Sequence, residues 1–167
     1  MNHDNQKILG IDPGLGGALA FLHTDGALEI FDMPVHRLKR GGKAKREIDR
    51  YELARLVDAH GPVAHAFVEQ VGAMPGQGVT GMFQFGRSLG IVEGVLSAGF
   101  IPTDYVAPRK WRSGLGVRAG KDGSRARASA LMPGHAGQWT RVKDNGRAEA
   151  ALIALYGQRQ LAKEAGQ

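Results

Sequence analysis

Acidic residues in apolar surroundings are the first feature of this sequence that suggests chemistry. Asp12 ends the apolar run at 8–11 and begins a turn rich in glycine. Glu69 interrupts a second apolar run, and Glu149 lies among small apolar residues at 148–154. A carboxylate is costly to bury unless it is paired or bound to a metal ion. We therefore interpret these three acids as candidates for one shared site.

Carboxylates that converge at one end of a sheet can bind Mg²⁺, which prefers oxygen ligands. Two such ions about 4 Å apart can activate a water molecule and stabilise the leaving 3′ oxygen of a phosphodiester. Asp144 is the candidate for a fourth ligand, provided that it lies at the start of the helix that carries Glu149. The chain has no cysteine, so thiolate metal sites and cysteine nucleophiles are excluded.

Each acid also has an ordinary structural interpretation. Asp12 begins an Asp-Pro-Gly sequence, which is typical of turns. Asp144 could serve only as a helix cap, and Glu149 could pair with Arg141 or Arg147 at the surface. The occurrence of all the acids in one chain favours the metal site over these separate explanations.

Hydrophobic periodicity predicts the elements that would bring the acids together. Asp12 would end the first strand, and Glu69 would end the fourth. The predicted strands are 8–11, 16–22, 27–33, 64–71 and 100–106, and the predicted helices are 49–60, 82–98, 124–131 and 144–161, with a helix or turn at 109–112. Segments 72–81 and 133–140 are predicted to be loops. This order indicates one α/β domain over 1–167, with a core at about 7–161 and helices packed on a mixed sheet.

An excess of basic residues favours a polyanionic partner, although solubility alone could explain it. The chain has 22 Lys and Arg against 16 Asp and Glu, a formal charge of +6. Segment 37–46 holds six of the basic residues without apolar periodicity, so it is predicted to be a mobile surface loop. Trp111 either stacks on a base or anchors its turn to the core. The basic residues expected to contact DNA are Arg37, Lys39, Arg40, Lys43, Lys45, Arg46, Arg109, Lys110, Arg112, Arg118, Lys121, Lys143 and Arg147.

Five motifs, in this order and spacing, resemble the RuvC-type Holliday junction resolvases, particularly their phage and prophage relatives. The resemblance covers about residues 7–157. The motifs are ILGIDPG at 8–14, VEQ at 68–70, FGRSLG at 85–90, APRKW at 107–111 and DNGRAEA at 144–150.

The resemblance implies a ribonuclease H-like fold, with a five-stranded mixed sheet of three antiparallel strands followed by parallel ones. It also implies a homodimer that makes paired nicks at four-way DNA junctions and leaves 5′ phosphates. Two Mg²⁺ ions, or Mn²⁺ in their place, would be bound by Asp12, Glu69, Asp144 and Glu149. Lys121 and Arg112 correspond to basic residues that the family places near the scissile phosphate.

Two departures from the family pattern concern the site. The bacterial resolvases usually carry two closely spaced aspartates on the last helix, whereas this chain has Asp144 and Glu149. The loop after the catalytic glutamate usually presents an aromatic wedge to the junction, and here only Met74 could take that place. The helix at 82–98 is apolar more widely than one sheet requires, so Phe83, Leu89 or Val92 could face a second copy.

Two other functions stay open on the sequence alone. A glycine-rich hairpin after an aspartate also cradles ATP in phosphotransferases of the actin and sugar-kinase type, although that architecture needs two such domains. The chain could also be a branched-DNA-binding module without catalysis. The first residues are polar, and no secretory or membrane segment is predicted, so we expect a cytoplasmic location.

Overall fold

A mixed five-stranded sheet forms the centre of the computed structural model, which describes residues 6–40, 43–70, 72, 76, 78–120 and 122–166. In chain order, the strands of the molecule are β1 (Lys7–Asp12), β2 (Ala18–His23), β3 (Leu28–Asp32), β4 (Val35–Arg40), β5 (Lys43–Ile48), β6 (Val63–Glu69) and β7 (Thr103–Val106). The sheet has the order β3-β2-β1-β6-β7, and β4 pairs with β5 in a separate hairpin. The first three strands are antiparallel, and β6 and β7 continue in parallel. The predicted fold class is confirmed.

Five α-helices surround the sheet. They are α1 (Arg50–Ala59), α2 (Val79–Ala98), α3 (Pro108–Leu115), α4 (Gly123–Leu131) and α5 (Asn145–Ala165). The predicted cap of α1 is confirmed, because the Asp49 carboxylate accepts hydrogen bonds from the backbone N–H groups of Tyr51 and Glu52, both at 3.1 Å. Among the described residues, no helix combines the length and apolarity needed to cross a membrane.

Several predicted boundaries and one predicted loop differ from the structure. Helix α2 begins at Val79 instead of at 82, and its first turn is exposed, so hydrophobic periodicity did not reveal it. Strand β7 begins at Thr103 instead of at 100. The predicted loop at 133–140 contains a 3-10 helix, Pro133–Trp139, whose Trp139 is buried and donates to the Ser129 hydroxyl at 2.9 Å.

Alternating side chains of the strands build two cores, one on each face of the sheet. The even-numbered residues of β1, such as Ile8, face α3, α4 and α5, whereas the odd-numbered residues, such as Leu9, face α1 and α2. Phe67 of β6 lies in the same core as Ile8. By this alternation Asp12 and Glu69 both belong to the face that α5 covers.

The basic segment 37–46 lies mainly in the paired strands β4 and β5, so the predicted mobile loop was wrong at 37–40 and 43–46; residues 41–42 lie outside the described residues. Val35 pairs with Ile48, and Arg37 pairs with Arg46. The base of the hairpin is anchored, since Ile48 is buried in the core and Glu47 contacts Arg87 at 3.1 Å. A strand pair that is anchored at its base needs no apolar periodicity along its length.

Candidate active site

The turn after β1 fixes the Asp12 side chain. The Asp12 carboxylate accepts a hydrogen bond from the Gly14 N–H at 3.1 Å, and the Gly17 N–H donates to the Gly14 carbonyl at 2.9 Å. A Cβ atom at Gly17 would lie 2.1 Å from the Asp12 carbonyl oxygen. Only glycine therefore fits at 17, and the turn closes tightly beneath Asp12.

Strand β6 places Glu69 next to Asp12. The parallel register pairs Ile11 with Val68, so the two acids follow side by side at the carboxyl ends of neighbouring strands. Glu69 is 8% exposed, and its carboxylate accepts a hydrogen bond from the Trp111 indole N–H at 3.0 Å. A buried donor from α3 thus orients this acid.

Helix α5 brings Glu149 to the same end of the sheet. The helix lies directly on β1, because a Cβ atom at Gly10 would be 2.2 Å from the Ala150 carbonyl oxygen. Glu149 accepts a hydrogen bond from the Ser124 hydroxyl at 2.9 Å, and it forms an ion pair with Arg112. We call Asp12, Glu69 and Glu149 the acid trio.

Burial and the charges of neighbouring carboxylates raise the pKa values of two members of the acid trio, Asp12 and Glu69. Burial, with a smaller contribution from the Glu149 charge, raises the pKa of Asp12 to about 6. Burial and then the Asp12 charge raise the pKa of Glu69 to about 7, against the Trp111 hydrogen bond that lowers it. The charged forms of these acids are therefore unfavourable unless a cation lies near them.

The donor atoms of the acid trio suit a hard divalent cation, because all are carboxylate oxygens drawn from three different elements. A cation between them would relieve the repulsion that raises the pKa values of Asp12 and Glu69. In the ranges that the structure describes, no three acidic or histidine side chains are already arranged around one ion position. In this structure Glu149 is paired with Arg112 instead.

The structure does not bring Asp144 into the acid trio. This residue ends the 3-10 turn Val142–Asp144 just before α5. Its carboxylate accepts hydrogen bonds from the Arg141 backbone N–H at 3.1 Å and from the Arg141 guanidinium at 2.9 and 2.8 Å. The Arg141 hydrogen bonds lower the pKa of Asp144 to about 2. Its assignment as a metal ligand stays a prediction.

Many of the basic residues expected to contact DNA are exposed. These are Arg37, Lys45, Arg46, Arg109, Lys110, Arg118 and Lys143. The backbones of Lys39, Arg40 and Lys43 lie in the β4–β5 hairpin. The Arg147 guanidinium forms an ion pair with the Asp32 carboxylate, with Nε 2.6 Å from Oδ1. Lys121 and Met74 lie outside the described residues.

The Trp111 side chain is fully buried, so the interpretation of this residue as a base-stacking platform is corrected. It packs in the core beneath α5. The alternative, an anchor for the α3 turn, is the one observed. Its neighbours Arg109 and Lys110 are exposed.

Three polar contacts of the site escaped the sequence analysis. Ser124 is 2% exposed and donates to Glu149, although nothing in its surroundings in the sequence marks it. Arg141 binds Asp144, and their spacing of three residues was the available signal. The contact between Asp32 and Arg147 joins residues that are distant in the chain, so no local pattern predicts it.

Comparisons with known proteins agree with this geometry. No protein-family model matches the chain. The chloroplastic Holliday junction resolvase MOC1 of Chlamydomonas reinhardtii is 30% identical in an alignment of length 153 that covers 76% of this chain. The chain spans only 17% of the length of that relative.

Solved structures of resolvases share the fold. RuvC of T. thermophilus in complex with a Holliday junction substrate superposes with a TM-score of 0.60 at 14% identity, over 94% of this chain and 96% of that one. The yeast mitochondrial Holliday junction resolvase superposes with a TM-score of 0.58 at 15% identity, over 98% of this chain and 82% of that one. The chain has the ribonuclease H-like fold of RuvC, and its resemblance to the RuvC-type Holliday junction resolvases is confirmed.

Proposed function

We propose that this chain is a metal-dependent endonuclease that resolves Holliday junctions and related branched DNA, leaving 5′ phosphates. The observation that carries the proposal is the acid trio, which lies at the carboxyl ends of β1 and β6 and on α5, with Glu69 buried. Acids such as Asp12 and Glu69, whose pKa values are raised by burial and by neighbouring carboxylates, are typical of functional sites. The likeness to three resolvases in sequence or in fold supports branched DNA as the substrate.

Asp12, Glu69 and Glu149 would hold the metal, which we propose to be two Mg²⁺ ions, with Mn²⁺ able to replace them. When bound, divalent ions would activate a water molecule and stabilise the leaving 3′ oxygen. The Gly14 N–H and the Trp111 N–H keep two of these carboxylates in fixed orientations. We propose Asp144 as a further ligand only if its carboxylate leaves Arg141.

We propose that the basic residues named above bind the DNA backbone and recognise its shape. Phosphate contacts supply much of the affinity for DNA without reading sequence directly. The β4–β5 hairpin contacts the active-site turn, because Arg46 donates to the Leu15 carbonyl at 3.1 Å. DNA held by the hairpin would therefore lie near Asp12. Lys121 and Met74 are included in this proposal from the family pattern alone.

We also propose that the chain forms a homodimer, as two paired nicks require. Helix α2 presents exposed apolar side chains, Val79 at 79% and Phe83 at 71% exposure, that a second copy could cover. Val92 does not belong to this surface, because it is buried against the sheet. Sedimentation equilibrium should show a dimer for the wild type and a monomer for Phe83→Asp; a monomeric wild type would contradict this part of the proposal.

We further propose that residues 1–167 form one nuclease domain that acts where branched DNA occurs. For a bacterial chain that place would be the cytoplasm, and for a phage-encoded chain the cytoplasm of its host.

A substrate panel tests the proposed function. The full chain is incubated in Mg²⁺ or Mn²⁺ with end-labelled four-way junction, fork, duplex and RNA–DNA hybrid of matched sequence. We expect symmetric nicks in the junction that a ligase can seal, with little cleavage of the duplex. Cleavage of the hybrid alone, or of none of the substrates, would contradict the proposal. Asp12→Asn should bind the junction in Ca²⁺ without cutting it, which separates an enzyme from a binding module.

A further inference from the structure

Helix α3 contacts two members of the acid trio through consecutive residues. Trp111 donates its indole N–H to Glu69 Oε1 at 3.0 Å, and Arg112 points a guanidinium nitrogen at Glu149 Oε1. The guanidinium carbon of Arg112 lies 4.7 Å from the centre of the Trp111 ring, a cation–π contact. One short helix thus holds the side chains of both acids.

The contacts of Glu149 compete with metal binding. Its Oε1 atom accepts both from Arg112 and from the Ser124 hydroxyl, the latter at 2.9 Å. The two donors use both lone pairs of Oε1, so a metal ion that binds Glu149 through both carboxylate oxygens must displace one of them. The pair is also partly shielded from water, since the Arg112 and Glu149 side chains are 35% and 13% exposed.

Arg112 places a positive charge beside the acid trio, as a metal ion would. Its guanidinium is always positive, and its charge acts favourably on the ionised forms of Asp12 and Glu69 as well. A divalent ion placed among the same carboxylates would repel this guanidinium, because like charges at close range are unfavourable in a site of low dielectric.

We propose that Arg112 is an internal counter-cation, which occupies Glu149 in the metal-free protein and must leave it when a divalent ion binds. The inference rests on the proposed function, because it takes the acid trio to be a metal site. Arg112 is then a positioning residue that weakens intrinsic metal affinity. Once released, its guanidinium matches a phosphate oxygen pair of the DNA strand. DNA would therefore strengthen metal binding by giving Arg112 a second partner.

Metal affinity measured without DNA tests this inference. Mn²⁺ is titrated calorimetrically into the full-length wild type, Arg112→Gln and Arg112→Lys. We expect Arg112→Gln to bind Mn²⁺ about tenfold more tightly, since it removes the competing charge, and Arg112→Lys to stay near the wild type. Arg159→Gln is the matched control, an exposed arginine on α5, and its affinity should change by about twofold or less.

The outcomes separate this inference from the function it rests on. Equal or weaker binding by Arg112→Gln would overturn the inference alone, whereas absence of metal binding by every chain would overturn the proposed function as well. A second measurement follows Arg112 in the wild-type protein itself. The side-chain Nε–H resonance of Arg112, assigned by its loss in Arg112→Lys, should shift and gain mobility as Mg²⁺ saturates. An unchanged, rigid resonance at saturation would contradict the displacement.

Discussion

Asp144 and the acid trio differ in their electrostatic environment. In the trio, burial and neighbouring carboxylates raise the pKa values of Asp12 and Glu69 to about 6 and about 7, so their charges are not balanced by nearby cations. Outside the trio, Arg141 forms an ion pair with Asp144 and lowers its pKa to about 2.

This contrast explains why similar residue types have different roles within one site. The start of α5 packs closely against the turn, since a Cβ atom at Gly146 would lie 2.3 Å from the Gly16 carbonyl oxygen. Glu149 lies one turn into α5 and contacts Ser124 and Arg112, whereas Asp144 precedes the helix and lines a cleft that also contains Arg46 and Lys143. Burial makes the charges of Asp12 and Glu69 unfavourable, and a metal ion would neutralise them.

Removal of an acid from the trio is expected to have the largest effect. Asp12→Asn, Glu69→Gln and Glu149→Gln should each slow junction cleavage by about a thousandfold or more, equivalent to about 4 kcal/mol of activation free energy. The measurement is single-turnover cleavage in Mg²⁺, with junction binding in Ca²⁺ measured in parallel. Asp25→Asn, at an exposed turn, is the matched control and should cleave like the wild type. Cleavage retained by any trio variant would remove that residue from the site.

Substitution of Asp144 is expected to cost much less. Asp144→Asn should lower cleavage by about tenfold, because it frees Arg141 without removing a trio ligand. Arg141→Gln should give a similar decrease if the pair acts together. A decrease in Asp144→Asn as large as that in Asp12→Asn would show instead that Asp144 joins the trio during catalysis.

The same two aspartates should affect stability with opposite signs. Because the pKa of Asp12 is raised in the folded protein, this residue destabilises the fold least at pH values below the pKa of Asp12 in the unfolded chain. The destabilisation grows as pH rises through about 6 and reaches at most about 3 kcal/mol. Asp12→Asn should therefore stabilise the metal-free protein at pH 8 and have little effect at pH 4.

Asp144 should show the reverse pattern. Because its pKa is lowered, the ionised Asp144 carboxylate stabilises the fold at pH values above the usual pKa of aspartate. This contribution is lost as pH falls through about 2. Asp144→Asn should therefore destabilise the protein at pH 8. Urea denaturation of both variants at pH 4 and pH 8, with chelator present, checks the two signs. Equal shifts in the same direction would contradict the contrast.

The hairpin should contribute to affinity rather than to chemistry. Arg37→Ala combined with Lys45→Ala should reduce the slope of log affinity against log salt by about 0.9 for each phosphate that the variant no longer neutralises. Lys163→Ala, exposed near the end of α5, is the control. Binding of the junction in Ca²⁺ across a salt series gives the slopes. An unchanged slope would show that the hairpin does not touch the DNA backbone.

The sequence predicted the parts of this fold that depend on local pattern. The apolar strands ending at Asp12 and Glu69, and the small apolar face around Glu149, follow from periodicity. The hairpin at 37–46 was mistaken for a loop because its strands are stabilised mainly by backbone pairing and by contacts at its base. A charged surface strand has no core-facing pattern to detect.

The candidate site was harder to predict wherever it depends on tertiary partners. The last helix starts where it was predicted to start, with Asp144 at the N-cap position, but the pairing of Asp144 with Arg141 follows from the geometry of the preceding 3-10 turn. Burial of Trp111 beneath α5 depends on how α3 packs, so the sequence left its role open between base stacking and anchoring. The contact between Arg112 and Glu149 joins two helices in the same way.

A metal titration tests the central claim most directly, namely that the acid trio is a divalent-metal centre and that Asp144 lies outside it. Mn²⁺ is titrated calorimetrically into the wild type, Asp12→Asn, Glu149→Gln and Asp144→Asn at pH 8, which is above the raised pKa values of Asp12 and Glu69. We predict saturable binding to the wild type and Asp144→Asn, and no detectable binding to the two trio variants. Binding that survives in Asp12→Asn but disappears in Asp144→Asn would contradict the account.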